Sequence, residues 1–385
     1  MKNAKNPAFN IMACAILFLI GVIGAGNQVL VSHMQKAFGA TDGQIGFLVS
    51  ATYFGSMAMV LALGEISERI GKRRGISISA FLVTLGVFLL LVSSSVGVST
   101  AAMLLLGFGT GGLESITMSL LEDNNGDDAD RAIVLTEALF SLGGVLTPLV
   151  IGRLVPDDVY KPAYLVFTLL FALMTLSLLL SRSIDAFALR APHEDSLVIF
   201  KVAKDKLALL CALGMVLYVG AEGAFCYWAV SYFEQNGAAW AGAYAISVYW
   251  LSSIVGRLIG TRVRGISRFL PAGFLTAAVA MLLLVFLPDA RAKLAATALL
   301  GFALSPAYGC ICFMGGHAFP EHSASAYSLM IFGGAFGGVV TQPLIGSAAM
   351  VMPLRAVFLI LAGVYLALLV LWKRILALAA AREKK

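Results

Sequence analysis

The chain has 385 residues, of which 60% are hydrophobic and 12% charged, and its mean hydropathy is +0.91. That much apolar surface exceeds what a soluble core of this length can bury, which excludes a water-soluble globular protein and makes lipid the expected solvent. The formal net charge of +6 does not signal nucleic acid, because the basic residues sit in short gaps between apolar runs, where the positive-inside rule accounts for them.

A helix crosses the hydrocarbon layer with about 20 apolar residues. In chain order, such runs predict transmembrane helices over 9–33, 43–64, 75–96, 98–121, 130–155, 161–181, 206–232, 240–261, 270–287, 292–316, 325–350 and 354–376. The first run follows Lys2 and Lys5 as a secretory signal would. It is longer than a signal core and has no small-residue cleavage site before Gln35, so it is expected to be retained. The cysteines, Cys14, Cys211, Cys226, Cys310 and Cys312, all fall inside apolar runs and read as small buried residues.

Twelve helices with an internal N-terminus leave Lys36, Arg153, Lys161, Arg291, Lys293 and Arg355 in the outward gaps. Arg257 lies within a span, and every other Lys and Arg faces inward, which predicts cytoplasmic termini and residence in the cell (inner) membrane. The longest polar stretch, inside 182–205, divides a six-helix bundle over 1–181 from another over 206–385. A repeat supports that division: Gly143-Gly144-Val145-Leu146-Thr147 recurs 194 residues later as Gly337-Gly338-Val339-Val340-Thr341. At the same offset Gly107-Phe108 meets Gly301-Phe302 and Gly71 meets Gly265.

Several residues stand out along the chain. Between the second and third spans, Gly64-Glu65-Ile66-Ser67-Glu68-Arg69-Ile70-Gly71-Lys72-Arg73-Arg74 combines a carboxylate at a helix end with a basic cluster. Glu68, Arg69 and Arg73 could pair and unpair as the cytoplasmic side closes and opens, or the loop could simply set topology. In the fourth span, Gly107, Gly109, Gly111 and Gly112 lie in an apolar run with no preceding strand; they read as helix-packing positions, not a phosphate loop. A charge at mid-membrane costs about 2.5–3.5 kcal/mol on insertion scales, so Glu114, Glu137 and Glu222 should face water or a partner. Each can act as a reversible proton carrier or serve a structural role, in a pair with Arg257 or a hydrogen-bonded polar knot. The acidic stretch from Glu122 to Asp130 lacks the Gly and Glu placement of a calcium loop, and His317 reads as a loop histidine. The aromatic cluster from Tyr218 to Trp250 suits an interfacial belt, with Tyr218, Trp228 and Tyr249 the candidates for a solute cavity.

The 64–74 loop resembles the signature cytoplasmic loop of the major facilitator superfamily, with Glu68 where that pattern has Asp. The resemblance implies an all-α polytopic membrane protein of two pseudo-symmetric six-helix bundles that works by alternating access. Three segments narrow it: Gly107-Phe108-Gly109-Thr110-Gly111-Gly112-Leu113-Glu114, Tyr218-Val219-Gly220-Ala221-Glu222 with Trp228 and Tyr232, and Gln35-Lys36-Ala37-Phe38. They are similar to the fucose permease-like branch, the fucose/galactose/glucose:proton symporters. By that resemblance the branch's helix 1 aspartate falls on Gln28, and Glu137 takes the helix 5 position of a sugar-contacting Gln.

The expectation is a proton-coupled secondary transporter of a small polar, sugar-like solute. Gln28, Glu114, Glu137, Tyr218, Glu222, Trp228 and Tyr249 would contact the solute, and Glu114 and Glu222 would carry the proton. An exporter of cationic or amphipathic compounds is the first rival, and a non-transporting membrane receptor the second. No enzyme constellation, metal cluster or cofactor motif is expected, and the chain should act as a monomer in the bilayer without nucleic acid. Glu222 stands 194 residues after Gln28, so duplication makes the two pseudo-symmetric mates and suggests that the helix 1 carboxylate has moved to helix 7. The topology predicts that single cysteines at Ala129 and Ala191 resist an impermeant thiol reagent in intact cells, whereas one at Asp157 labels. Labelling of all three from outside would overturn it.

Overall fold

The computed structural model describes residues 6–126, 129–156, 159–181, 202–260, 262–263, 265–317 and 323–383. Among them the chain is helical almost throughout. The helices are α1 (Pro7–Phe38), α2 (Asp42–Ile70), α3 (Lys72–Val92), α4 (Val96–Asn125), α5 (Ala129–Leu154) and α6 (Lys161–Leu180). The later ones are α7 (Lys206–Gln235), α8 (Ala239–Gly260), α9 (Leu270–Phe286), α10 (Ala290–Leu304), α11 (Ala307–His317), α12 (Ser323–Ala349) and α13 (Leu354–Glu383). They supply 12 candidate membrane spans, because α10 and α11 together form one. The sequence predicts one helix over 292–316; the break at Ser305 and Pro306 arises because proline lacks an N–H and clashes with the preceding turn. Pro148 and Pro343, by contrast, lie inside α5 and α12 without ending them.

The chain forms two compact units. One holds Met1–Ala40 and Ala51–His193; the other holds Thr41–Ser50 and Glu194–Lys385. In the second unit, Ser50 Oγ donates to the Val339 carbonyl at 2.8 Å, and a Cβ at Gly46 would stand 2.5 Å from the Gln342 carbonyl oxygen. The first turns of α2 thus lie against α12. On α6 the exposed Leu169, Leu173, Leu176 and Leu180 form a stripe at helical spacing, the face expected of a span solvated by hydrocarbon.

Glycine sets how closely the helices approach. On α4, a Cβ at Gly107 would lie 2.0 Å from the Thr52 carbonyl oxygen and one at Gly111 2.9 Å from Ser56 Cα, so this face meets α2. A Cβ at Gly109 would lie 2.5 Å from the Val83 nitrogen and one at Gly112 2.2 Å from Ser79 Oγ, so the adjacent face meets α3. The four glycines are therefore packing positions for two neighbours at once. The repeat mates do the same work: a Cβ at Gly143 on α5 would lie 2.5 Å from the Phe18 carbonyl oxygen on α1, and one at Gly337 on α12 would lie 2.2 Å from the Val216 carbonyl oxygen on α7. Gly301 presses α10 against the Tyr249 carbonyl on α8 as Gly107 presses α4 against α2. Gly71 and Gly265 both take positive φ, 82° and 65°, a conformation costly for residues with a Cβ.

Polar groups finish the helix ends. Asn6 and Asp205 cap α1 and α7 through side-chain oxygens that accept from backbone N–H groups. Tyr160, just before α6, donates its hydroxyl to the Ser93 carbonyl at 2.7 Å. Burial raises the Tyr160 phenol above its usual range, so it stays a donor at physiological pH. Substituting Gly107 or Gly301 by Val forces a backbone contact apart, and each change is expected to lower the melting stability of the detergent-purified protein by about 1–3 kcal/mol. Gly24→Ala, with nothing within 4 Å of its Cβ, serves as control. Equal melting of all three variants would show that these crossings are not tight.

Candidate functional site

In the second unit a polar cluster forms on α7. Tyr218 and Glu222, four residues apart, share one face of the helix. The Tyr218 hydroxyl donates to Glu222 Oε1 at 2.9 Å, and Tyr249, brought in by α8, donates to the same oxygen at 2.5 Å. Both tyrosines are buried, while Glu222 is half-buried. Among the described residues no hydrogen-bond donor reaches Oε2, so this oxygen can accept a proton or a solute hydroxyl. Arg257, eight residues beyond Tyr249 on α8, lies within electrostatic reach of Glu222 and Tyr218. Tyr365 on α13 also feels the Glu222 charge, and its hydroxyl is buried with no hydrogen-bond partner in the structure.

Trp228 lies six residues further along α7, about 9 Å of rise from Glu222. Its ring is buried, and its Nε1 donates to Gln342 Oε1 on α12 at 3.2 Å. Gln342 is fully buried and, among the described residues, its Nε2 has no hydrogen-bond partner. The sequence reading did not select Gln342 or Tyr365. An amide inside the duplicated motif, where the first copy has Pro148, was the available signal for Gln342; a single tyrosine in the apolar last span gave none for Tyr365.

Lys293 departs from its expected place in an outward gap. It is buried on α10, with Nζ donating to the Tyr232 hydroxyl at 2.9 Å and to Asn236 Oδ1 at 3.3 Å. Nζ also lies 4.8 Å from the Tyr232 ring centroid, and the Tyr232 hydroxyl donates to the Leu284 carbonyl at 2.8 Å. Tyr232 is therefore a buried strut between α7, α9 and α10, not a member of an interfacial belt, and it stacks on Phe358 at 4.5 Å.

The first unit holds the other candidates. Glu114 on α4 and Glu137 on α5 are both half-buried and within electrostatic reach of each other. Gln28 on α1 is buried beside Asn27, which accepts from the Tyr164 hydroxyl at 2.9 Å and donates to Met103 Sδ at 3.8 Å. In the 64–74 loop, Arg73 Nη2 contacts the Leu179 carbonyl at the end of α6 at 3.5 Å, and Lys72 Nζ donates to Ser119 Oγ at 2.7 Å. The side chains of Glu68, Arg69 and His317 lie outside the described residues.

The family model of the Major Facilitator Superfamily matches residues 12–290. A glucose/galactose transporter of Brucella abortus (biovar 1, strain 9-941) is 24% identical over 287 residues, 68% of each chain. Among solved structures, the nucleoside transporter NupG superposes with a TM-score of 0.80 at 15% identity, covering 95% of this chain and 99% of that one. The E. coli fucose:proton symporter FucP superposes with a TM-score of 0.67 at 18% identity, covering 95% and 98%. These likenesses are to transporters, not to enzymes.

The geometry around Glu222 makes Tyr249→Phe informative. Losing a donor to a carboxylate costs about 1.5–3 kcal/mol when that carboxylate is charged and less when it is neutral. The variant is expected to melt several degrees lower at high pH, with a smaller deficit at low pH. An unchanged melting temperature across that range would remove the hydrogen bond from the account of this site.

Proposed function

This chain belongs to the Major Facilitator Superfamily and is a multi-pass membrane protein, and on that premise we propose that it is a secondary active transporter of a neutral, sugar-like solute, coupled to protons and working by alternating access. The carrying observation is the Glu222 cluster: a half-buried carboxylate with two tyrosine donors on one oxygen and, among the described residues, none on the other. Such a group can switch between a protonated form and a charged form already provided with hydrogen bonds, as a reversible proton carrier must. Glu114 is the second proton-coupling residue, placed on α4 within electrostatic reach of Glu137 on α5. Tyr218, Tyr249, Trp228, Gln28 and Glu137 complete the solute contacts. The sugar assignment draws on the Brucella abortus glucose/galactose transporter and the fucose:proton symporter FucP as relatives.

Glu68, Arg69 and Arg73 act as a cytoplasmic gate in this scheme. The basic asymmetry supports cytoplasmic termini and the inner membrane, and the division into bundles over 1–181 and 206–385 joined by 182–205 follows the repeat. The carrier functions as a monomer in the bilayer. One observation favours a second reading, export of a cationic or amphipathic compound: Glu114, Glu137 and Glu222 are three carboxylates within the spans, enough to attract a cation.

Reconstitution in proteoliposomes tests the coupling. Glu222→Gln and Glu114→Gln are expected to retain solute exchange within about twofold while losing gradient-driven accumulation by about tenfold, because the proton site is gone and the fold is kept. Unchanged accumulation in both variants refutes the assignment. For the gate, Glu68→Gln should slow transport more than it weakens binding; wild-type exchange by a Glu68→Gln, Arg69→Ala double variant at equal expression would reduce the loop to a topology signal.

A further inference from the structure

Gln342 combines three properties that a packing residue does not need. First, its amide orientation is fixed by chemistry. An indole N–H only donates, so the Trp228 Nε1 contact at 3.2 Å requires the amide oxygen to face Trp228 and leaves the NH2 group pointing elsewhere. Second, among the described residues that NH2 group finds no acceptor although the residue is fully buried. Buried donors are nearly always satisfied, and accepting from the Trp228 indole needs only the oxygen, so the two stranded N–H bonds exceed what that contact requires.

Third, the repeat shows that the helix crossing itself does not call for an amide. The α1 and α5 crossing in the first unit carries Pro148 where the α7 and α12 crossing carries Gln342. Both crossings use their glycines, Gly143 and Gly337, in the same way. The amide is an addition to a scaffold that already packs. It is also held firmly: Thr341 Oγ1 would stand 2.4 Å from a Cβ at Gly220, and the Gln342 carbonyl 2.5 Å from one at Gly46. A rigid backbone and a fixed amide make a pre-organised donor.

We propose that Gln342 is a specificity-determining contact for the transported solute, Trp228 holding its amide oxygen so that Nε2 donates to a hydroxyl or ring oxygen. This rests on the reading of the protein as a carrier of sugar-like solutes and sharpens it. An NH2 group offers nothing to an ammonium ion, so the contact selects for a solute that brings an acceptor oxygen. Glu222, an acceptor when charged, and Gln342, a donor, both belong to the second unit and offer the two halves of hydroxyl chemistry. Trp228 is then a positioning residue, with its hydrogen-bonding end committed to the amide.

The test uses the full chain in proteoliposomes with D-galactose, D-glucose and the single-deoxy analogues of each, comparing wild type with Gln342→Leu, Gln342→Glu and Trp228→Phe. Gln342→Leu is expected to raise KM about tenfold with the saturating rate kept, the size of one hydrogen bond to solute. Gln342→Glu still accepts from the Trp228 indole but has no N–H to give, and should show the same rise. One deoxy sugar should be a poor substrate of wild type and be handled equally by wild type and Gln342→Leu, because the bond is already missing. Trp228→Phe should raise KM less and leave the order of the deoxy sugars unchanged.

Unchanged KM in both Gln342 variants, or an equal further loss for every deoxy sugar, overturns the contact while leaving the transporter reading intact. Failure of both variants to fold assigns Gln342 to the scaffold and overturns it too. If wild-type vesicles accumulate none of the sugars but do move tetraphenylphosphonium, the sugar reading falls and the Gln342 proposal falls with it.

Discussion

Inside a bilayer a leucine gains nothing by leaving lipid for another leucine, so the helices of this protein depend on close van der Waals approach to stay together. Glycine makes that approach possible. The distances at Gly107, Gly143, Gly301 and Gly337 place the neighbouring carbonyl where a side chain would otherwise begin. Everything else in each unit is arranged around these crossings. The large residues fill the space on either side of them, as Phe225 does against Tyr249 and Phe358. The outward leucines are left to meet hydrocarbon.

The same constraint governs where polar groups can go. A helix satisfies its own backbone, so each buried side-chain donor or acceptor must find a partner among side chains or on a neighbouring carbonyl. Lys293 shows how completely this can be done: its ammonium is taken up by Tyr232, Asn236 and a ring face, and Tyr232 passes its own hydrogen to Leu284. The Asn10, Asn124 and Asn125 side chains, with the backbone N–H and carbonyl of Asn6, form a comparable mutual set where α1 begins and α4 ends. Against that background the polar atoms left over carry information. Among the described residues the buried ones are the Ser32, Ser79 and Thr117 hydroxyls in the first unit and the Tyr365 hydroxyl and Gln342 amide nitrogen in the second.

Duplication separates scaffold from chemistry. Some packing glycines at the common offset are kept in both halves, Gly107 with Gly301 and Gly143 with Gly337, and Gly71 and Gly265 share even their positive φ, whereas Gly109, Gly111 and Gly112 meet Ala303, Ser305 and Pro306. The residues proposed to bind solute differ between the halves: Gln28 faces its mate Glu222 in the numbering, Gly55 faces Tyr249, and Pro148 faces Gln342. The first unit carries a different pair of carboxylates, Glu114 and Glu137, on helices other than α1. Packing constrains both copies equally, whereas a solute without internal symmetry does not.

The sequence alone determined the solvent, the number of spans, the repeat and the packing role of the α4 glycines, because a bilayer reduces those questions to run length, small residues and charge bias. It also singled out Tyr218, Glu222 and Tyr249, since ionisable and ring-bearing residues inside apolar runs are conspicuous. Only the tertiary structure decided which of them touch. It put both phenols on one oxygen of Glu222, gave the Trp228 indole to Gln342, and drew Lys293 inward to Tyr232. It broke the tenth span at Pro306, a kink whose tolerance depends on neighbouring helices. Spacing along a helix tells which face a residue occupies, but the partner it meets lies on another helix, at a separation that no local pattern encodes.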